Sequence, residues 1–159
     1  MTLKKMIARL IDTIELRGMT NNDLDQVIAI EGKSYDFPWS DVVIKDCLMN
    51  KYACYVAGND SILGYMISKI SNQDSHILNL TIDSEYRGLG IGSSFLDLMI
   101  KECRLHRSEY IYLEARINNT IARKLYQKFG FRSIGVRKNY YRNKSGREDA
   151  IVYRKNLLI

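Results

Sequence analysis

The stretch Arg87-Gly88-Leu89-Gly90-Ile91-Gly92 sets three glycines at alternating positions beside a cation. Glycine lets backbone come close to a ligand, and the first turn of a helix leaves N–H groups without intrahelical acceptors. A strand, this loop and then a helix would cradle a phosphate or pyrophosphate. A P-loop ends in Gly-Lys-Ser/Thr, whereas here the chain continues Gly92-Ser93 with no lysine. A dinucleotide fingerprint sets its glycines directly after an early strand. Here Asp83 to Tyr86 intervene, and three β runs and two helices come first. A third pattern, Gln/Arg-x-x-Gly-x-Gly/Ala, is met at every specified position by Arg87, Gly90 and Gly92. A glycine turn that serves only structure stays open beside it.

Two more side chains have usable chemistry. Glu114 closes a β run on the face of Tyr110 and Tyr112, opposite Ile111 and Leu113. A carboxylate there accepts a proton, or is simply solvated. Tyr126 carries a titratable hydroxyl but shares a helix side with Ala122 and Phe129, which equally suits a core aromatic. Metal chemistry has little to draw on. Cys47, Cys54 and Cys103 lack pair spacing and are odd in number, and His76 and His106 are the only histidines.

The elements that position these groups follow from hydrophobic period and punctuation. With 159 residues, 46% hydrophobic and 26% charged, the chain supports one core and is too short for two ordinary domains. Residues 1–12 form an extension, with Leu3, Met6, Ile7, Leu10 and Ile11 at helical spacing among Lys4, Lys5 and Arg9. A helix packed on the domain is expected there, with a targeting or membrane-surface segment as the other option. A strand over Thr13 to Arg17 follows. Thr20 with Asp23 then gives a capping-box signal for a helix that buries Leu24, Val27 and Ile28. Pro38 breaks the chain, and Ser40 caps a second helix with Ile44, Cys47 and Leu48 inward.

Tyr52–Ala57, Ile62–Ile70 and His76–Ile82 read as strands, and Phe95, Leu96, Met99 and Cys103 mark a long helix. Tyr110–Ala115 is a strand, and Asn119–Phe129 a helix with Ile121, Leu125 and Phe129 at four-residue spacing, ended by Gly130. Two β segments around Asn143-Lys144-Ser145-Gly146 finish the chain. The expected fold is α/β: a mixed central sheet of about seven strands with four helices on both faces.

Phe37-Pro38-Trp39-Ser40, Asn79 to Gly92, Tyr112 to Arg116 with Asn119 and Leu125-Tyr126, and Asn139-Tyr140-Tyr141 with Gly146 to Ile151 resemble the GNAT acetyltransferase superfamily over nearly the whole length. Within it the chain resembles the branch that acetylates protein N-termini, above all bacterial ribosomal-protein-alanine N-acetyltransferases, with archaeal and eukaryotic relatives. The resemblance implies a GNAT domain over residues 13–159 with acetyl-CoA as co-substrate and no metal. Leu80, Thr81 and Ile82 would bond the pantetheine arm through their backbone. Arg87, Gly88, Leu89, Gly90, Ile91, Gly92 and Ser93 would hold the pyrophosphate, and Asn119 would touch the same molecule. Glu114 matches the general base and Tyr126 the acid that protonates the leaving thiolate. Phe37, Trp39, Tyr140 and Tyr141 would line a peptide groove. Thr81 departs from the family pattern, where small apolar residues are usual.

The implied partner is the N-terminus of a protein, an alanine on a small-subunit ribosomal protein, modified by direct attack in a ternary complex. An α-amine, with a pKa of ~7.7–8.0, is partly free base at neutral pH, while a lysine at ~10.4 is almost wholly charged. A relative acting on lysine or a small amine, and a non-catalytic ribosome- or RNA-binding relative, are the alternatives. The net charge of +6 suits a polyanion such as coenzyme A. No apolar run reaches the ~18 residues needed to cross a bilayer. A cytoplasmic enzyme, monomeric or weakly dimeric, with no membrane and no direct nucleic-acid role, is expected.

Overall fold

Thr2 starts the first helix by accepting the Lys5 N–H on its Oγ1 at 3.4 Å, and α1 runs Leu3–Asp12. The structure is a computed structural model that describes residues 1–158. No residue of α1 is buried. Leu3, Met6 and Leu10 face solvent, and only Ile7 and Ile11 are half-buried. The extension is therefore helical as expected but shallowly seated. Thr13 closes it, so the first strand begins later than its sequence suggests, β1 being Leu16–Gly18.

Thr20 then caps a short 3-10 turn, Asn21–Asp23, with both capping-box bonds in place. The turn feeds α2 (Leu24–Ser34), and Ser40 accepts from the Val43 N–H to begin α3 (Asp41–Met49). The inner side of α2 is Val27, Ile30 and Glu31, with Leu24 and Ile28 only half-buried. Next come β2 (Ala53–Ala57), β3 (Gly64–Lys69), β4 (Asp74–Ile82), α4 (Ile91–Leu105), β5 (Tyr110–Arg116), α5 (Thr120–Lys128), β6 (Arg132–Asn143) and β7 (Gly146–Asn156). The seven strands form one mixed sheet in the order β1-β2-β3-β4-β5-β7-β6. The five α-helices are the four expected plus α1.

Cα packing divides the chain into two compact units: Met1–Ile67 with Asn79–Phe95, and Ser68–Leu78 with the chain from Leu96 on. The first unit buries Val27, Ile30, Ile44, Val56, Tyr65, Met66, Ile67 and Phe95, each at most 3% exposed. Gly64 is required there. A Cβ would lie 2.9 Å from the Thr81 carbonyl oxygen and 2.8 Å from Ile82 Cδ1.

The second unit buries Leu96, Met99, Cys103, Ile111, Leu113, Phe131 and Tyr153. Its sheet has the parallel ladder of β4 and β5, pairing Asp74 with Tyr110 through Ile77 with Leu113. On its other side β5 pairs with β7 over all seven residues, Tyr110–Arg116. In α5 the four-residue spacing misled: Ile121 is 83% exposed, and Tyr126 is the buried residue. All three cysteines are free and buried, and burial pushes the Cys54 thiol up to about 12.

Candidate active site

In the first unit the glycine turn has the form an anion cradle needs. Gly88 and Gly90 have φ of +75° and +86°, a left-handed backbone that disfavours side chains. A Cβ on either would meet nothing within 4 Å, so the turn faces open space. Gly92 lies inside the first turn of α4 rather than in the loop proper. The helical ladder opens with the Ser94 N–H donating to the Gly90 carbonyl at 3.1 Å. Earlier N–H groups of that turn have no intrahelical acceptor. Arg87 is exposed, with its Nε donating to the Ile82 carbonyl at 3.1 Å. Open glycines, a fresh helix start and an adjacent guanidinium fit a pyrophosphate. A cavity of about 220 Å³ lined by Ile11, Ile14, Leu16, Gly90, Ile91 and Ser94 opens beside the loop. That places the end of α1 next to it, which sequence alone did not suggest.

Just upstream, Asp83 is buried and accepts from Lys33 Nζ at 2.7 Å. Burial pushes its carboxyl up, yet Lys33 and the Glu85 N–H outweigh that and hold it low. The strand it follows carries Leu80, Thr81 and Ile82. Thr81, buried, donates from its hydroxyl to Asn79 Oδ1 at 2.7 Å, and Tyr35 OH lies 2.7 Å from the same hydroxyl. The extra hydroxyl at Thr81 is thus fully used.

Asn79 in turn donates to Glu31 Oε2 at 3.1 Å, and the Tyr65 hydroxyl donates to that same oxygen. Burial, then the charge of Glu31, pushes the Tyr65 phenol up. The other oxygen, Oε1, accepts the backbone N–H of Trp39 at 3.0 Å. Glu31, 2% exposed, therefore ties the Phe37–Ser40 segment to β3 and β4. Phe37 is 46% exposed and Trp39 half-buried.

In the second unit Glu114 lies on β5 with its carboxylate largely shielded, the side chain being 9% exposed. His76 Nε2 is 2.6 Å from its Oε2, and Arg137 Nη2 is 3.5 Å from its Oε1. Register explains the first contact: His76 pairs with Tyr112, so Glu114 is its same-face diagonal neighbour. Burial pushes Glu114 up, but the His76 hydrogen bond and the charges of His76 and Arg137 leave it lowered. It is a carboxylate at neutral pH. Neither His76 nor Arg137 was singled out from sequence; only the strand register reveals them.

Tyr126 is 8% exposed, its ring 6.0 Å from Phe131 and 6.1 Å from Tyr153. The core reading of this residue holds geometrically. Asn119 caps α5 by accepting the Ala122 N–H at 3.3 Å, which engages its oxygen and leaves its amide nitrogen for an external partner.

Tyr140 and Tyr141 owe their placement to an irregularity. Pairing along β6 jumps from Arg137–Ala150 to Tyr141–Glu148, so between these pairs β6 carries two residues more than β7. Asn139 enters the left-handed region at φ 53° and donates its N–H to Asp149 at 2.9 Å. The two rings then meet edge to face at 4.9 Å. Arg116 lies over Tyr141 at 4.4 Å and pairs with Glu148 at 2.6 Å. Tyr141 is half-buried and raised by burial, whereas Tyr140 is 44% exposed. Among the described residues no three His, Cys, Asp or Glu side chains form a metal site. No helix among them is long and apolar enough to cross a membrane.

A mixed seven-stranded sheet with a glycine turn between β4 and α4 is the architecture of one class of acyl-transfer enzyme. Residues 23–131 match the Acetyltransferase (GNAT) family, and the chain belongs to it, as an acetyl-CoA-dependent N-acetyltransferase. It is 34% identical over 140 residues to a provisionally named ribosomal protein bS18-alanine N-acetyltransferase of Bacillus subtilis (strain 168), covering 86% of this chain and 91% of the other. The crystal structure of the ribosomal-protein-S18-alanine N-acetyltransferase from Escherichia coli is similar with a TM-score of 0.85 at 25% identity, over 92% of this chain and 96% of that one. Arabidopsis thaliana Naa50 in complex with the bisubstrate analogue CoA-Ac-MVNAL is similar with a TM-score of 0.79 at 27% identity, over 91% and 99%.

Proposed function

We propose that this chain acetylates the N-terminal α-amine of a protein, with an N-terminal alanine on a small-subunit ribosomal protein as its target, by direct attack in a ternary complex. The similarity to enzymes named for alanine N-acetylation of ribosomal protein bS18 supports the substrate class. The shielded Glu114 carboxylate, kept ionised by His76 and Arg137, is the single observation that carries the chemistry.

Acetyl-CoA supplies an activated acyl carbon and a thiolate leaving group. The left-handed turn at Gly88 and Gly90, with Arg87, Leu89 and the first residues of α4 through Ser93, holds the pyrophosphate. The backbone of Leu80, Thr81 and Ile82 bonds the pantetheine arm, and a main-chain N–H there polarises the thioester carbonyl. The amide nitrogen of Asn119 adds a contact. Glu114 takes a proton from the α-ammonium, directly or through one water. An amine with a pKa of ~7.7–8.0 asks far less of that base than a lysine at ~10.4. Tyr126 donates its phenolic proton to the departing sulfur. Phe37, Trp39, Tyr140 and Tyr141 receive the first residues of the peptide.

Two peptides test the substrate, both beginning with alanine and both containing one lysine, one with its α-amine free and one with it blocked. Acetylation of the free peptide alone supports transfer to the α-amine. Equal modification of both would make this a lysine enzyme. No modification of either at saturating acetyl-CoA would favour a relative that has lost transfer.

A further inference from the structure

Transfer from acetyl-CoA to an α-ammonium consumes one charged amine and releases an amide, a thiol and one net proton. Glu114 can accept that proton, but a shielded carboxylate held below its ordinary range must also pass it on before the next turnover. Glu114 has two charged or titratable contacts for its carboxylate. Arg137, reaching in from β6 at 3.5 Å, is a permanent cation and takes no proton. His76, on β4 at 2.6 Å, is an imidazole, with one ring nitrogen against Glu114 and a side chain 33% exposed. The Tyr141 phenol, also on β6, is raised by burial and by the nearby charge of Glu114, and so is a poor carrier near neutrality. Tyr112, directly across the ladder from His76, completes the surroundings.

Resting on the assignment of Glu114 as the base, we propose that His76 is a positioning residue that orients Glu114 and carries its proton to solvent. The substrate ammonium gives one proton to Glu114, which becomes a neutral acid as the amine gains its lone pair. With Glu114 protonated, exchange with solvent moves the imidazole proton from Nε2 to Nδ1, and Nε2 then accepts the Glu114 proton across the 2.6 Å contact, restoring the carboxylate and making an imidazolium. The imidazolium loses its Nδ1 proton to water, which returns the starting form with the Nε2–H donating to the carboxylate. The amine attacks the acyl carbon, the C–N bond forms, the C–S bond breaks, and the second amine proton balances the thiolate through Tyr126. No oxidant or further reactant is involved.

The pairing is built by strand register rather than by loop flexibility. His76 and Glu114 are diagonal neighbours on one sheet face, each on a strand whose flanking residues Ser75, Ile77, Leu113 and Ala115 are buried. Their separation is therefore fixed by the fold, as a proton transfer over one hydrogen bond requires.

Three variants test this with a peptide bearing a free N-terminal alanine: His76→Gln, His76→Ala and Glu114→Gln. His76→Gln offers Glu114 an amide donor but cannot titrate. We expect it to lower kcat by roughly tenfold to a hundredfold, to leave acetyl-CoA affinity unchanged by calorimetry, and to flatten the pH profile of kcat relative to wild type. His76→Ala should fall similarly and recover severalfold when imidazole is added, which a purely structural role would not produce. Wild-type kcat and pH profile in His76→Gln, or a His76→Ala defect that imidazole leaves untouched, would overturn the relay. Should Glu114→Gln turn over normally, the base assignment itself fails. If Glu114→Gln is inactive while both His76 variants are normal, only the relay fails.

Discussion

Glu31 on α2 accepts the main-chain N–H of Trp39 at 3.0 Å, so a buried carboxylate fixes the start of the segment proposed to meet the peptide. Its other oxygen is shared by Asn79 and Tyr65, which makes the Trp39 loop and the edge of β4 parts of one network. Replacing Glu31 with Ala leaves the Tyr65 hydroxyl and the Asn79 amide buried without that acceptor. Each such loss costs about 1–3 kcal/mol. Glu31→Ala should therefore lower the unfolding free energy by about 3 kcal/mol, measured by urea denaturation. Glu31→Gln, which keeps the shape, should lose less stability but still raise the peptide KM by roughly tenfold, one hydrogen bond's worth, with acetyl-CoA affinity little changed.

Glu114→Gln should lower kcat by ~10²–10⁴ while calorimetry shows near-normal acetyl-CoA binding. The lowered pKa of Glu114 has a signed consequence. Burial alone would raise it, and His76 and Arg137 hold it down. Removing Arg137 with Arg137→Ala should move the Glu114 titration to higher pH, followed by carboxyl NMR. Because Arg137 is half-exposed and 3.5 Å away, the movement should be modest. Titration unchanged or displaced to lower pH would mean that Arg137 does not act on this carboxylate.

Gly90→Ala should weaken acetyl-CoA binding through backbone strain. A Cβ at Gly90 meets nothing within 4 Å, but the φ of +86° disfavours any L side chain by roughly 1–2 kcal/mol. Relaxing that strain turns the amides of the cradle away from the anion. Calorimetry should show a weaker Kd by about tenfold with the fold retained. An unchanged Kd would move the pyrophosphate away from this loop.

Acid stability should depend on Asp23. Its carboxyl is held at about 2 rather than 3.8, chiefly by its bond to Arg17, with burial opposing and the Thr20 N–H assisting. A folded-state value below the unfolded one gives stability that is complete above pH ~4 and is lost as pH falls towards ~2. Arg17 is 30% exposed, so screening reduces the contribution to about 1–2 kcal/mol. Denaturation curves of wild type should steepen in their pH dependence below ~4, and Asp23→Asn should flatten that region.

The glycine turn before α4 was legible in the sequence because glycine spacing and the following helix are local features. Ser40, Thr20 and Gly130 were readable for the same reason: caps and left-handed ends depend on adjacent residues alone. Pairings across the sheet were not. His76 and Glu114 lie 38 positions apart and meet only through the parallel register of β4 and β5. Glu31 was hidden differently, since a carboxylate one position past Ile30 looks like a solvent-facing residue until Tyr65, Asn79 and Trp39 enclose it. Ile121 misled because the first turn of α5 projects outward, so four-residue spacing marks a stripe that packing does not use. The double insertion in β6 that brings Tyr140 beside Tyr141 also has no local signal beyond Asn139.

Tandem mass spectrometry of a small-subunit ribosomal protein that begins with a free alanine, after incubation with acetyl-CoA and this enzyme, is the most direct measurement. The expected product carries one acetyl group on the N-terminal nitrogen with wild type and almost none with Glu114→Gln. Acetyl groups found only on lysine side chains, or equal yields from the two enzymes, would contradict the account.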